Sequence, residues 1–454
     1  MSPAPNNSHV IGLGRSGIAA ARLLRQDGWQ VTLSDRSPAP PLVEAIAELK
    51  QAGITVKLGH TFAVEAELNL LVISPGVPWD APPVKAAQAA GIETIGEMEL
   101  AWRYLEDRPW VGITGTNGKT TTTALTAAIF QAAELTAPAC GNIGYAACEL
   151  ALTETVPDWV IAEVSSYQIE AAPTLAPKIG LWTTFTPDHL SRHKTLEKYF
   201  DIKASLLHRS ELAVFNGDDS YLRRHIAPDW PNAHWTSING KDAIAPHQPT
   251  AWIDNGWVTF RGRPIVEAST LKMVGEHNQQ NLLLAVTAAC LAGIDKSAIA
   301  LAVADFPGVP HRLEQVGHYG SMTLINDSKA TNYEAAAVAL AAVESPVILI
   351  AGGDPKEGND QAWLQAIHAK VQQVLLIGKA AQGFAQRLSD TDYHSYEIVD
   401  TLERAVQRGI EMGAQYQAKV LLLSPACASF DQYASFEHRG EHFKRLCSEI
   451  ARKD

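Results

Sequence analysis

The sequence predicts an α/β protein of about three domains, and three observations carry that expectation. At 454 residues the chain is too long for one hydrophobic core of ordinary domain size. Its two ends alternate short apolar runs with helical stretches, the pattern of doubly wound sheets. Between them residues 111–123 read VGITGTNGKTTTT, an apolar strand running into Gly115, Gly118, Lys119 and a run of threonines, which has the form of a phosphate-holding loop.

The first segment is read in order as the strand HVIGLG, the helix IAAARLLRQDG, the strands WQVTLSD, ITVKLG and LNLLVI, and the strand and helix of GIETIGEMELAWRYL. Gly12, Gly14 and Gly17 satisfy G-x-G-x-x-G after a strand, and Asp35 closes the next strand where a ribose-binding acid would sit. Read alone, that motif points to NAD. The same turn also cradles the pyrophosphate of a nucleotide sugar. Ser74 to Pro78, SPGVP, form a rigid turn at a strand's carboxyl end, where α/β domains bind ligands, or else a plain proline turn.

A second domain is expected from Pro109 to about Gly308. Glycines in its opening loop let backbone N–H groups aim at phosphate oxygens, Lys119 can neutralise β/γ charge, and the Thr120 hydroxyl can reach Mg²⁺. The helix opened by the threonines adds its positive dipole end to the same site. The loop departs from G-x-x-x-x-G-K-[ST], because Ile113 stands at the first glycine position. ATP-driven chemistry is nevertheless the leading expectation. In DWVIAEVSSYQIE an apolar strand delivers Glu163, well placed as a Mg²⁺ ligand, and then Ser165, Ser166, Tyr167 and Gln168. TTFTPDHLSRHKT supplies Asp188, His189 and His193, and either histidine could equally be structural. Lys203 lies on a helix among apolar neighbours, where an ordinary lysine would snorkel to solvent. Asn278 and Asn281 open a further helix, as readers of an adenine or ribose edge or as caps.

The third segment, from about Val309, carries the strands MTLIND, PVILIAGG, VQQVLLIG and AKVLLLSP between helical stretches. The expected fold is therefore α/β: a Rossmann-like domain over 1–108, a central P-loop-type ATPase domain with a mostly parallel sheet over 109–308, and a Rossmann-like domain over 309–454. A formal charge of −12 gives no general attraction to nucleic acid or anionic membrane, so anionic ligands need local sites and small-molecule partners are expected. The five cysteines include no C-x-x-C pair or metal-ligand cluster, which fits a reducing compartment. The start, MSPAPNNS, lacks the apolar core of a signal peptide, and no stretch approaches a bilayer span, so a cytoplasmic location is expected.

Seven segments in order, TGTNGKT, GNIG with Asn142, E-x-SS-[FY]-Q, T-x-DH, Lys203, G-x-HN-x-x-N and HRLE, resemble the Mur ligase family over essentially the whole chain. That resemblance implies ATP cleavage coupled to amide-bond formation, with three domains that bind in turn a UDP-linked substrate, ATP and an incoming amino acid. It implies ATP contacts at Gly115, Thr116, Asn117, Gly118, Lys119, Thr120, Thr121, Asn281, Arg312 and Asp327. It implies two Mg²⁺ ions, with Thr120, Glu163, His189 and a carbamylated Lys203 as ligands. Lys119, Glu163, His189, Lys203 and Lys329 form its implied catalytic set. The UDP substrate falls to Gly14, Arg15, Ser16, Asp35, Arg36, Ser74, Pro75, Gly76 and Asn142, with the uracil or ribose left open among Asp35, Arg36 and Ser37.

The third-domain loops NDSKATN, GGDPKEG and SPACASFDQYASFEHRG, with GLGRSG and IGEMEL in the first domain, are similar to those of the D-glutamate-adding branch. They imply Thr331, Lys356, Ser429 and Phe436 around the amino acid, and UDP-N-acetylmuramoyl-L-alanine as the acceptor. The implied reaction passes through an acyl phosphate, with the third domain closing to exclude water, in a monomer. A family member that adds another amino acid is the nearest alternative. An NAD-dependent oxidoreductase and a nucleotide-sugar-binding regulator without catalysis are the rival classes, and each leaves conspicuous motifs without a role.

Overall fold

The computed structural model describes residues 6–38, 43–65, 67–226, 230, 233–273, 275–355 and 358–451. Residues 1–271 with 279–306 form one compact unit, and 272–278 with 307–454 form a second. Three α/β sheets organise them, two in the first unit and one in the second.

The first sheet comprises β1 (Asn7–Ile11), β2 (Gln30–Asp35), β3 (Thr55–Leu58), β4 (Leu70–Ile73) and β5 (Glu93–Gly96), in the order β3-β2-β1-β4-β5. All its pairings are parallel. Strand order reverses between β1 and β4, so the chain leaves both at one crevice, the place where open parallel sheets bind ligands. The glycine turn after β1 and the SPGVP turn after β4 therefore meet. The Ser74 hydroxyl donates to the Gly12 carbonyl at 3.0 Å, and its N–H donates to Ile11 O at 3.0 Å. The helix Arg15–Gln26 follows, burying Ala19, Ala20, Ala21, Leu23 and Leu24 against the sheet.

The second sheet contains β6 (Trp110–Thr114), β7 (Ala139–Gly141), β8 (Val160–Glu163), β9 (Ile179–Trp182), β10 (Leu212–Asn216), β11 (His234–Ser237), β12 (Pro249–Asp254), β13 (Trp257–Phe260) and β14 (Arg263–Glu267). Their order is β14-β13-β12-β11-β10-β9-β6-β8-β7. Pairings are parallel from β7 to β12, and β12 to β14 form an antiparallel ribbon. The apolar runs of β6, β8 and β9 are buried on both faces, as central parallel strands require. Because β6 lies between β8 and β9, the residues after all three strands emerge together. The helix Leu196–Arg209 packs here with Tyr199, Lys203, Ala204, Leu206 and Leu207 buried, a face spaced by three and four. Lys203 occupies a core position of that face.

The third sheet, in the second unit, runs β15-β16-β20-β17-β18-β19, from β15 (Glu314–Tyr319), β16 (Met322–Asn326), β17 (Val347–Gly352), β18 (Val371–Ile377), β19 (Tyr396–Asp400) and β20 (Val420–Leu423). Only the edge strand β15 pairs antiparallel. The four expected strands are its central ones. Sequence reading missed β15 and β19, whose half-buried residues give no continuous apolar run.

Glycine is required at position 17 by close approach, since a Cβ there would run into the Gly12 carbonyl and the Ser74 hydroxyl. Gly17→Ala is expected to cost about 1–3 kcal/mol through overpacking. Urea unfolding checks this, and a loss below roughly 0.5 kcal/mol would show that the turn yields more easily than its packing implies.

Candidate active site

The loop after β6 is shaped by two glycines in the left-handed region, Gly115 at φ 145° and Gly118 at φ 87°. A side chain at the first would strike Thr183 and at the second Asn281, so the space as well as the backbone demands glycine. Gly118 caps the helix Lys119–Ala132, whose first turn carries the buried Thr120 and Thr121. Three residues missed in the sequence reading brace the loop. Thr183 Oγ1 donates to Asn117 O at 2.5 Å, Thr184 Oγ1 accepts from the Asn117 N–H at 3.0 Å, and Thr116 Oγ1 donates to Thr186 O at 3.0 Å. Their signal was the TTFT run at the end of β9, polar residues where an apolar strand stops. Asn281 Oδ1 accepts from Thr122 Oγ1 at 3.2 Å, which ties the helix Glu276–Leu291 to the same loop.

Two ammonium groups converge on this loop. Lys119 Nζ donates to the carbonyls of Gly115 at 2.9 Å and Thr116 at 2.8 Å. Lys203 Nζ donates to that same Gly115 carbonyl at 2.8 Å and to Thr114 Oγ1 at 3.2 Å, and lies 4.9 Å from the centre of the Tyr199 ring. Lys203 is 1% exposed, so the snorkelling expected of an ordinary lysine does not occur. Burial, reinforced by Lys119, pushes its pKa well below the usual lysine range, while Asp188 and Glu163 only partly oppose the shift.

Glu163 ends β8 and is 1% exposed. Its Oε1 accepts from Asn142 Nδ2 at 2.9 Å, whereas its Oε2 is buried without a hydrogen-bond partner. An orphaned carboxylate oxygen beside a phosphate-type loop fits a cation ligand, because a lone buried acceptor is costly. His189 sits at φ 55°, with Nδ1 3.2 Å from the Tyr167 hydroxyl and Nε2 3.5 Å from Asp188 Oδ2. Among the described residues no group of three His, Cys, Asp or Glu stands ready around a metal. The expected ligand set holds only two such side chains, with a threonine and a modified lysine for the rest. His193 is buried next to this group, with Nε2 2.9 Å from Ser166 Oγ and its ring stacked on Tyr167 and Tyr199.

At the first sheet's crevice Asp35 receives the Leu13 N–H at 2.7 Å and the Ser37 N–H at 2.8 Å, so its carboxylate holds the glycine turn. Gly14, Arg36 and Gly76 are exposed there, and Ser16 and Pro75 are half-buried. Arg15 reaches the second sheet instead, pairing with Glu149 at 2.9 Å and donating to Gly144 O at 2.5 Å. Ser74 and Pro75 line a small pocket with Glu97, Tyr167, Gln168 and Arg192, so segments from both sheets face one space.

In the second unit Asp327 is fully buried, accepting from Ser424 Oγ at 2.8 Å and the Leu313 N–H at 3.2 Å, with Arg312 at 4.0 Å. Burial raises its pKa to about 6, with Arg312 the largest opposing influence. Lys329 Nζ lies 4.9 Å from the centre of the Phe436 ring. Ser429 is buried, and Thr331 is half-buried ahead of the helix Tyr333–Ala342. Lys356 lies outside the described residues.

Phosphate loop, strand-end carboxylate and buried lysine, gathered at the second sheet of a chain with three α/β sheets, fit an ATP-using ligase class, and the comparisons agree. The Mur ligase MurD-like N-terminal domain matches residues 6–96, the Mur ligase middle domain 113–289, and the Mur ligase glutamate ligase domain 311–427. The chain belongs to the Mur ligase family. It is 61% identical over 444 residues to the UDP-N-acetylmuramoylalanine–D-glutamate ligase of Microcystis aeruginosa, covering 97% of this chain and 99% of that relative. Identity to the enzyme of the same name from Gloeothece citriformis is 60%, with the same coverage. A pseudomurein peptide ligase type C from Methanothermus fervidus shares the fold at TM-score 0.62 and 19% identity, covering 98% of this chain and 100% of that one. UDP-N-acetylmuramate-alanine ligase from Thermotoga maritima does so at 0.62 and 18%, covering 98% and 99%.

Asp327 makes a pH prediction. Its folded pKa, about 6, lies above the ordinary aspartate value of 3.8, so the folded state binds the proton more tightly. Its contribution to stability is therefore fully present at low pH and is lost as pH rises from about 4 through 6. The stability of the wild type relative to Asp327→Asn should fall by at most about 3 kcal/mol between pH 4 and 7. Denaturant unfolding across that range checks the difference, and a pH-independent difference would refute the assigned shift.

Proposed function

We propose that this chain is an ATP-dependent ligase that joins D-glutamate to UDP-N-acetylmuramoyl-L-alanine in peptidoglycan precursor synthesis. The observation that carries the chemistry is the convergence of Lys119 and Lys203 on Gly115 O beside the unpartnered Glu163 oxygen. Two lysine nitrogens at one acceptor, beside a loop of glycines, suit an anion, and a lone carboxylate oxygen suits a cation. A nucleotide triphosphate with its magnesium satisfies both.

In the proposed reaction the γ-phosphoryl group of ATP passes to the alanyl carboxylate, giving ADP and an acyl phosphate. The neutral amine of D-glutamate then attacks the acyl carbon, phosphate leaves with the bonding electron pair, and the nitrogen gives up a proton to water as the amide forms. Lys119 and the loop N–H groups of 118–121 hold the phosphates and stabilise charge on the transferring group. Thr120, Glu163, His189 and Lys203 are the residues that would hold Mg²⁺, which when bound offsets repulsion between phosphate and carboxylate. Asn142 orients Glu163 through its 2.9 Å hydrogen bond. Burial lowers the pKa of Lys203, which makes the neutral amine, the form that adds to CO₂ with loss of a proton, easier to reach. The resulting carbamate would turn a costly buried cation into an anionic ligand.

The glycine turn, Asp35 and the Ser74–Gly76 turn form the proposed UDP-substrate site. Asn281, Arg312, Asp327 and Lys329 are assigned to ATP, and Thr331, Lys356, Ser429 and Phe436 to D-glutamate. Hydroxyl and cationic donors suit a dicarboxylate. We keep 1–108, 109–308 and 309–454 as the substrate, ATP and amino-acid segments, in a monomer of the cytoplasm. Among the described residues no helix is long and apolar enough to cross a membrane.

Phosphate release from ATP, measured with UDP-N-acetylmuramoyl-L-alanine and D-glutamate, L-glutamate, L-lysine, diaminopimelate or D-alanyl-D-alanine in turn, tests the activity. Turnover with D-glutamate alone is expected, and turnover only with another amino acid would move the specificity. Lys203→Ala should lower turnover by a factor on the order of 10² to 10³ or more while leaving the fold intact. Turnover near the wild-type rate would overturn the carbamate assignment.

A further inference from the structure

Arg439 has no assigned role, yet it is 1% exposed and among the largest fully buried side chains of the molecule. It lies on the helix Phe436–Ala451, three residues after Phe436. Its Nε donates to Ser328 Oγ at 3.0 Å, and its Nη2 donates to Ser328 O at 2.8 Å and Cys427 O at 3.1 Å. Its Nη1 donates to Ala428 O at 3.1 Å. The acceptors are one hydroxyl and three backbone carbonyls.

Two features set this group apart from an ordinary buried arginine. The first is what it joins. Ser328 belongs to the loop that carries Lys329 and Thr331, and Ala428 precedes Ser429. The guanidinium therefore touches the two loops and rides on the helix that begins with Phe436, so one planar group ties together all three segments that present the amino-acid residues described here. The contact is reinforced from the other side, because Ser328 Oγ donates to Phe436 O at 2.8 Å. The second feature is charge. Its hydrogen-bond acceptors are neutral, the Asp431 and Asp327 carboxylates offset only part of its charge, and in a buried setting the remaining field acts on whatever anion the neighbouring loops receive. A fixed fork of donors is also a geometry that lysine cannot reproduce.

We propose that Arg439 is a positioning residue for the amino-acid substrate: it holds the 326–332 and 424–429 loops in register with Phe436, and its positive charge, only partly offset, favours a dicarboxylate there. The inference rests on the reading of these loops as the D-glutamate site.

The test is steady-state kinetics of Arg439→Lys and Arg439→Ala, with thermal unfolding of each. Arg439→Lys should raise the KM for D-glutamate at least tenfold and leave the KM for UDP-N-acetylmuramoyl-L-alanine within twofold. N-ethylguanidinium added to Arg439→Ala should recover several-fold of the lost D-glutamate affinity, which a general loss of packing would not allow. A folded Arg439→Lys with an unchanged KM for D-glutamate, an equal rise in both KM values, or no rescue of a folded Arg439→Ala would each overturn the proposal. If neither variant folds, Ser328→Ala decides, with the same split expected and an unchanged KM for D-glutamate overturning it. Should the wild type use another amino acid, the activity reading fails by itself, and Arg439 is judged on the KM for that amino acid.

Discussion

One backbone carbonyl organises the active end of the central sheet. Gly115 O accepts from both Lys119 and Lys203, so two lysine side chains meet at a single acceptor, one of them fully buried and the other half-buried. Coulomb repulsion between them grows as the surroundings become less polar, and hydrogen bonds to neutral oxygens do not cancel it. The supporting residues follow from this constraint. Thr183, Thr184 and Thr186 lock the loop that presents the carbonyl, Asn281 crowds Gly118, and Tyr199 places its ring against Lys203.

Sheet topology supplies the rest of that setting. With β6 between β8 and β9, Glu163 and the Thr183 segment emerge beside the phosphate loop although more than forty residues separate them from it in sequence. The reversal between β1 and β4 does the same for the two turns of the first sheet, which share a hydrogen bond between Ser74 and Gly12. Both sites stand at carboxyl ends of parallel strands, where peptide N–H groups and helix starts face outward.

The second unit solves a different problem, holding polar loops still without a large apolar lid. Asp327 is buried among Ser424, Leu313 and Arg312, and Ser328 and Arg439 form the adjoining polar centre. Such networks specify one arrangement when every member is satisfied. Their dependence on Asp327 and Arg439, each buried and charged, makes the loop geometry sensitive to protonation and to side-chain shape.

Much of this was legible in sequence. Period and apolar runs determined the α/β class and the central strands, because a strand buried on both faces must be apolar throughout. Gly115, Gly118 and Lys119 determined the phosphate loop, because only glycine permits those backbone angles. The ordered motifs determined the family. Other features were decided by the fold. Strands β15 and β19 and the β12–β14 ribbon are edges, half-wet and unmarked by pattern. Whether Lys203 reached solvent depended on which face of its helix met β6, and Arg15 found Glu149 only because two sheets pack together. The bracing threonines and Arg439 hold residues far from them in the chain. Local chemistry is written residue by residue, whereas burial, shared acceptors and unpartnered oxygens exist only once distant segments exclude water together.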